Sequence, residues 1–488
     1  MMVPRRAEAC KGSASHSGVH YIKTSQPTTK FEQAQNPDTN AQQASNNSSF
    51  VMVCVVIISA FIALCAVESA SGAGSGSENA NGTSPPFVVP SQSVFLDPHS
   101  FAVLGPDGAF RNASQFFTPG ASASIAPPYF QIFTQEFLDV LGPTPSLHRA
   151  AHNTTFAFAH EAPIWVPATD EIFFASNDGG PLGMSDLEHN SQVSKINLTA
   201  AEAAIKNGVE VGYTEVRCGS DPPFLFIHLY LILSTRRLIL KVPLSDAVQM
   251  TNGGTPHNGE LMVITSGRGS LPPSLVRVHP APPYNDTVVL DNFFGRQFNS
   301  LNDIKVHPTS GVIFFTDSSY GFLNNFRPAP QLPNQVYRLD PRSGSVRVVA
   351  DGFVRSNGIA FSGDGLTAFV TDTAESGGFL GSNETEPATI YAFDVDARTQ
   401  AFTNRRVFAY TDNGVPDGIQ VDAAGRVYSG CGDGTQVWSP TGELIGKIFL
   451  GTTSASMAFA GPGRLVILAE TAVYIAHIAA DGLPLQDF

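Results

Sequence analysis

Charge is scarce in this chain. Only 14% of its 488 residues are Asp, Glu, Lys or Arg, and the basic residues are outnumbered 28 to 42. The resulting net charge of −14 argues against nucleic acid as a partner, because phosphate binding needs clustered Lys and Arg. Cysteine is scarcer still, five residues in all, and after residue 67 only Cys218 and Cys431 remain. Those two suffice for one disulfide or for two buried thiols, but not for a disulfide-built scaffold. No Gly-x-Ser-x-Gly occurs, so a serine-hydrolase elbow is unsupported. His160-Glu161 lacks the second His of a zincin motif.

Glycine (44), proline (35) and a 42% apolar fraction are plentiful. They suit an all-β chain with many tight turns and a sizeable core better than a helical one. Residues 1–49 are polar and of low complexity, and read as a disordered segment. Phe50–Val67 is a run of 18 uncharged residues. It reads either as a signal-anchor helix that tethers the chain to a membrane or as the core of a cleaved signal peptide beginning at Met52. Residues 68–90 are a Gly/Ser/Asn/Pro linker. Asn81, Asn112, Asn153, Asn197, Asn285 and Asn383 each open an N-x-Ser/Thr triplet. They support a secreted glycoprotein, or a membrane-anchored one with its folded part outside.

From residue 91 onward the chain alternates and repeats. Asn302-Asp-Ile-Lys-Val leads through a turn into Val312-Ile-Phe-Phe-Thr-Asp, Asn357-Gly-Ile-Ala-Phe into Thr367-Ala-Phe-Val-Thr-Asp, and Asp417-Gly-Ile-Gln-Val into Arg426-Val-Tyr-Ser-Gly. Ser456-Met-Ala-Phe and Glu161-Ala-Pro-Ile-Trp open similar units. Each is a hairpin signature, and further strand pairs lie between them. Four strands per unit repeated radially bury both faces and protect the edges. With 55 residues from 302 to 357 and 60 from 357 to 417, residues 91–488 are expected to form a six-bladed β-propeller of roughly 340 repeating residues. Phe224–Leu240, FLFIHLYLILSTRRLIL, breaks the pattern. It reads as a buried strand pair, a second span or translated intron, and leaves the second blade uncertain.

Innermost strands of a propeller line its channel. Asn302, Asn357 and Asp417 each stand two residues before an Ile at one repeat phase, and Glu161 stands three before Ile164. Converging there, one Glu, one Asp and two Asn would offer hard oxygen ligands for a divalent cation. Calcium suits a flexible ring of this kind better than magnesium, and manganese or zinc would be further divalent occupants. Each residue alone has a plainer reading. Asn-Gly and Asp-Gly are common hairpin turns, and only the recurrence raises the joint case. Asn252-Gly253-Gly254 reads as a turn near the channel mouth. Asp303, Asp317, Asp372 and Asp422 read as structural turn residues, with Asp303 beside the ring. His160 reads as a strand residue that packs or hydrogen-bonds rather than a catalytic one.

Over roughly 150–488, the motifs His160-Glu-Ala-Pro-Ile-Trp, Phe298-Asn-Ser-Leu-Asn-Asp-Ile-Lys-Val-His-Pro, Ser356-Asn-Gly-Ile-Ala-Phe-Ser and Pro416-Asp-Gly-Ile-Gln-Val-Asp together resemble the SMP-30/gluconolactonase/LRE-like family, and within it the secreted fungal lactonohydrolases. The resemblance implies a six-bladed propeller with one catalytic divalent metal on Glu161, Asn302, Asn357 and Asp417, hydrolysing a small-molecule lactone such as a sugar or aldonate lactone. In that chemistry the metal polarises the carbonyl, and Asp417 first, Glu161 second, would activate water. Two positions depart from relatives. Ser300 stands where some carry a substrate-binding Arg, and Gly418 where paraoxonases carry an Asn. A non-catalytic propeller scaffold with a structural cation and a strictosidine-synthase-like enzyme are the competing functions.

Overall fold

The computed structural model describes residues 87–98, 125–208, 211–212 (backbone) and 239–484. The apolar run 50–67, the sequons Asn81 and Asn112, Cys218 and residues 224–238 lie outside the described residues, as does the polar segment 1–49. All described elements belong to one unit spanning 73–488. Among them, no helix is long and apolar enough to cross a membrane.

The described strands form six radial sheets, a six-bladed β-propeller, and one small two-stranded ribbon, Asn292–Phe293 with Arg296–Gln297. Blades 1 to 4 run outward from inner strands Glu161–Val166, Thr251–His257, Leu301–Val306 and Ser356–Phe361, each with three further antiparallel strands. Blade 2 is complete within 251–290, and Ile239–Lys241 is the outer strand of blade 1. The irregular stretch before residue 239 therefore leaves blade 2 intact. Blade 5 starts at Ile419–Val421 and is extended outward by two early strands, Tyr129–Ile132 and Ser93–Phe95. Blade 6, starting at Ser456–Phe459, takes an outer strand, Ser146–His152, from ahead of blade 1; it pairs with Ala472–His477 and closes the ring.

Strands that read as nearly continuous apolar runs are buried on both faces. Successive residues of Ile313–Asp317 point to opposite sides. Ile313 and Phe315 pack with Met262 and Ile264 of blade 2, while Phe314 packs with Phe361 and Val370 of blade 4. The described core is accordingly six apolar clusters, one in each gap between neighbouring blades. The two ends of the inner strands line cavities. Their far ends, with Lys305, Gln420 and Trp165, line a small cavity of about 160 Å³ crossed by the Gly482–Pro484 segment. Their near ends line a larger one.

Candidate metal centre

In four blades the inner strand begins with the same irregularity. Three of its residues span two of the next strand: Glu161 pairs with Ala175 and Ile164 with Phe173, Thr251 with Thr265 and Gly254 with Val263, Leu301 with Asp317 and Ile304 with Phe315, Ser356 with Asp372 and Ile359 with Val370. This is a one-residue bulge, which turns a strand and re-aims a side chain. It lifts Asn252, Asn302 and Asn357 out of alternation. In blade 1 it follows Glu161, with Ala162 in the left-handed region at φ 53°. Asp417 enters blade 5 in the same way, its N–H donating to the Gly430 carbonyl at 2.9 Å.

The glycines that follow Asn252, Asn357 and Asp417 are not in turns. A Cβ on Gly358 would lie 2.5 Å from the Asp417 carbonyl oxygen, and one on Gly253 would lie 2.6 Å from that of Asn302. The start of the next blade passes there, so no side chain fits. The hairpin-turn reading of Asn357-Gly358, Asp417-Gly418 and Asn252-Gly253 is thus corrected: all three dipeptides open inner strands. Hydroxyls stitch the blades at this level. Thr316 Oγ1 donates to the Asn357 carbonyl at 2.7 Å, and Thr371 Oγ1 to that of Asp417 at 3.3 Å.

Glu161, Asn302, Asn357 and Asp417 all line one cavity of about 420 Å³, together with His160, Asn177, Asp178, Asn252 and Tyr320. Glu161, Asn302 and Asn357 are each at most 5% exposed. The Oδ1 atoms of Asn302 and Asn357 are buried with no hydrogen-bond partner, a costly state for a carbonyl oxygen unless something binds it. Burial, and then the nearby Asp417 carboxylate, pushes Glu161 well above the ordinary carboxyl range. Burial also raises Asp417, to about 6. Two carboxylates and two orphaned amide oxygens around one cavity are a donor set suited to a hard divalent cation.

The structure places a histidine beside that set. Ligand atoms of His160, Glu161 and Asp417 all lie within 4.8 Å of one another. His160 Nδ1 is 2.6 Å from Glu470 Oε1, and Asn177 Nδ2 donates to Glu470 Oε2 at 3.0 Å. Burial works to discharge the ring, but Glu470, with Glu161 and Asp417, outweighs it and raises the His160 pKa well above its usual value. Glu470 adopts φ 58° in the blade 6 hairpin, and its carbonyl accepts the Ala159 N–H at 3.0 Å. His160 does hydrogen-bond, as its sequence reading expects, but it does so at the cavity wall. Glu470 had no local signal, since only ring closure brings it beside a residue 310 positions away.

The four aspartates read as structural divide by task. Asp317 Oδ1 accepts the N–H groups of Asn299 at 3.0 Å and Ser300 at 2.8 Å. Asp372 accepts those of Val354 and Arg355. Each carboxylate pins the approach to an inner strand. Asp422 is fully buried on Arg426 Nε at 2.7 Å and Tyr428 Oη at 3.0 Å. Asp303 accepts the Ile359 N–H at 2.9 Å from the next blade. Ser300 Oγ accepts the Gly321 N–H at 3.1 Å. Cys431 is a buried free thiol.

Residues 252–471 match the family model described as the SMP-30/Gluconolactonase/LRE-like region. Lactonohydrolase oryL of Aspergillus oryzae is 26% identical over 350 residues, 67% of this chain and 68% of the relative. Lactonohydrolase oryH of the same organism is 26% identical over 423 residues, 71% and 80%. A gluconolactonase of Zymomonas mobilis is 30% identical over 199 residues, 39% of this chain and 51% of the relative. Among solved structures, a gluconolactonase from Xanthomonas campestris aligns with a TM-score of 0.51 at 23% identity over 73% of this chain and 94% of its own, a likeness of fold.

Proposed function

The chain belongs to the SMP-30/gluconolactonase/LRE-like family, and from that premise we propose that it hydrolyses a small-molecule lactone to the hydroxy acid with a divalent cation, calcium first, held by Glu161, Asn302, Asn357 and Asp417. The observation that carries this reading is the pair of orphaned, buried Asn302 and Asn357 oxygens on the cavity that also holds the Glu161 and Asp417 carboxylates. Lactonohydrolase and gluconolactonase relatives support the reaction class.

A cation held there would supply a Lewis acid for the lactone carbonyl oxygen. Asp417 would take a proton from the attacking water, with Glu161 as second candidate. The Asn357 amide beside Asp417 favours its charged form, which suits a carboxylate that must accept a proton. Water adds to the carbonyl carbon, the ring C–O bond breaks, and the departing oxygen takes up a proton. The Glu470–His160 pair would hold the wall behind Glu161 in register. We further read the chain as exported, from its apolar run and sequons.

The test is a hydrolysis assay over a panel of sugar, aldonate and alkyl lactones, with metal analysis of the same sample. The expected result is turnover of at least one lactone, lost on chelation and restored by calcium, with about one divalent cation per chain. Bound cation without turnover on any lactone would favour a scaffold role. Stoichiometric zinc bound through histidine, or no metal, would overturn the oxygen-ring reading.

A further inference from the structure

Asn252 reads as a turn residue in the sequence, but it occupies the bulge position of blade 2 that Asn302 and Asn357 occupy in blades 3 and 4. It precedes Asn302 by 50 residues, continuing the repeat toward the start of the chain. Its side chain is 4% exposed and lines the ring cavity. Its Oδ1 is buried without a partner, as in the other two asparagines.

The orientation of this amide is fixed chemically. Its Nδ2 lies 3.1 Å from Asp178 Oδ2 and 3.2 Å from Ser266 Oγ. The Ser266 hydroxyl is in turn 2.7 Å from Asp178 Oδ2 and 3.2 Å from the Leu301 carbonyl, both acceptors. Its proton is therefore committed, and Oγ can only accept from Asn252. A reversed amide would set its oxygen against a carboxylate oxygen. Asp178 and Ser266 together hold the NH₂ group, leaving the carbonyl oxygen to the cavity.

We infer that Asn252 is a fifth protein ligand of the cation, its Oδ1 completing an arc with Glu161, Asn302, Asn357 and Asp417. This rests on the metal reading above. Calcium takes six to eight oxygens, so a fifth protein oxygen is chemically welcome where four would leave most of the shell to water and substrate. Asp178 and Ser266 are positioning residues that fix the amide from behind.

The inference is tested on the full chain stripped of metal, by titrating calcium alone against wild type, Asn252→Ala, Asn252→Ser and Asn302→Ala, with thermal unfolding of each metal-free protein. Serine is too short to carry an oxygen into the cavity and leaves a small polar group in place of the amide. The expected result is a calcium Kd raised about 10- to 100-fold in both Asn252 variants, in the range seen when metal-site residues are removed, with metal-free melting of Asn252→Ser close to wild type. If wild type binds no calcium, the metal reading itself falls. If Asn302→Ala loses affinity while both Asn252 variants bind as wild type, the metal reading stands and this inference is overturned. Wild-type affinity with a raised KM in the Asn252 variants also overturns it, and would make Asn252 a substrate contact instead.

Discussion

At the residue scale, Asp417 carries two demands at once. It is half-buried beside the buried Glu161 carboxylate, and its oxygens are asked both to hold a cation and to take a proton. Asp417→Asn separates the two, because it keeps an oxygen and nearly the same shape. Calcium affinity should fall, since one negative charge beside the cation is gone. Turnover measured at saturating calcium should fall by roughly 10²–10⁴, the usual worth of a general base. Recovery of wild-type turnover at saturating metal would make Asp417 a ligand only and pass the base to Glu161. The phase of Asn302, Asn357 and Asp417 was legible in the sequence because an Ile follows each by two positions. Asn252 was not legible, because Gly254 replaces that Ile where Ile164 and Ala162 of blade 1 press against it. Glu161 sits one step out of phase because its bulge follows it. His160 gave no sign of its cavity position, since its partner Glu470 comes from the far end of the chain.

At the element scale, the device that recurs is the carboxylate at the end of a blade's second strand. Asp317 pins Asn299 and Ser300, the segment that delivers Asn302. Burial pushes its carboxyl up to about 7, against the opposing pull of those N–H groups and Arg327. The folded chain therefore binds the Asp317 proton more tightly than the unfolded chain, whose carboxyl keeps its ordinary value of 3.8. The contribution to stability is complete below that value and is lost as pH rises through about 7. Asp317→Asn keeps an acceptor for the two N–H groups and removes the titration. Urea unfolding in chelator at pH 5 and pH 7.5 should show wild type losing stability relative to the variant by ~2–3 kcal/mol over that interval, at about 1.4 kcal/mol per unit. A wild-type-to-variant difference that does not change with pH would show that Asp317 titrates as an ordinary carboxyl. Four-stranded blades were legible from strand and turn patterns alone. The bulges that aim the ring residues were not, because a bulge is a mismatch between two strands and leaves no mark on either one.

At the scale of the whole molecule, closure decides everything above. Blade 6 is finished by Ser146–His152, which pairs along Ala472–His477 and buries Leu147, Ala150 and Ala151. Without that strand Val473 and Ile475 would face water, and an unpaired edge would replace a continuous ring. The same closure brings Glu470 to His160. Such joins between distant segments have no local signature, so the order of blades could be read from the sequence while the outer strands that complete blades 5 and 6 could not. A closed ring also leaves its outer loops as the surface a glycan would decorate, and the sequons differ there. Asn285 and Asn383 are exposed. Asn197 instead caps the helix Leu198–Lys206: its Oδ1 accepts the Ala200 N–H and its Nδ2 donates to the Thr169 carbonyl at 2.9 Å. A sugar on that Nδ2 would displace the Thr169 contact and disturb a cap worth about 1 kcal/mol. Expressed whole in a secretory host, the chain should shift in mass on glycosidase treatment. Peptide mapping should find sugar on Asn285 and Asn383 and leave Asn197 bare. Absence of any shift would refute the reading as an exported glycoprotein. Sugar on Asn197 in folded, active protein would show that the helix does not depend on its cap.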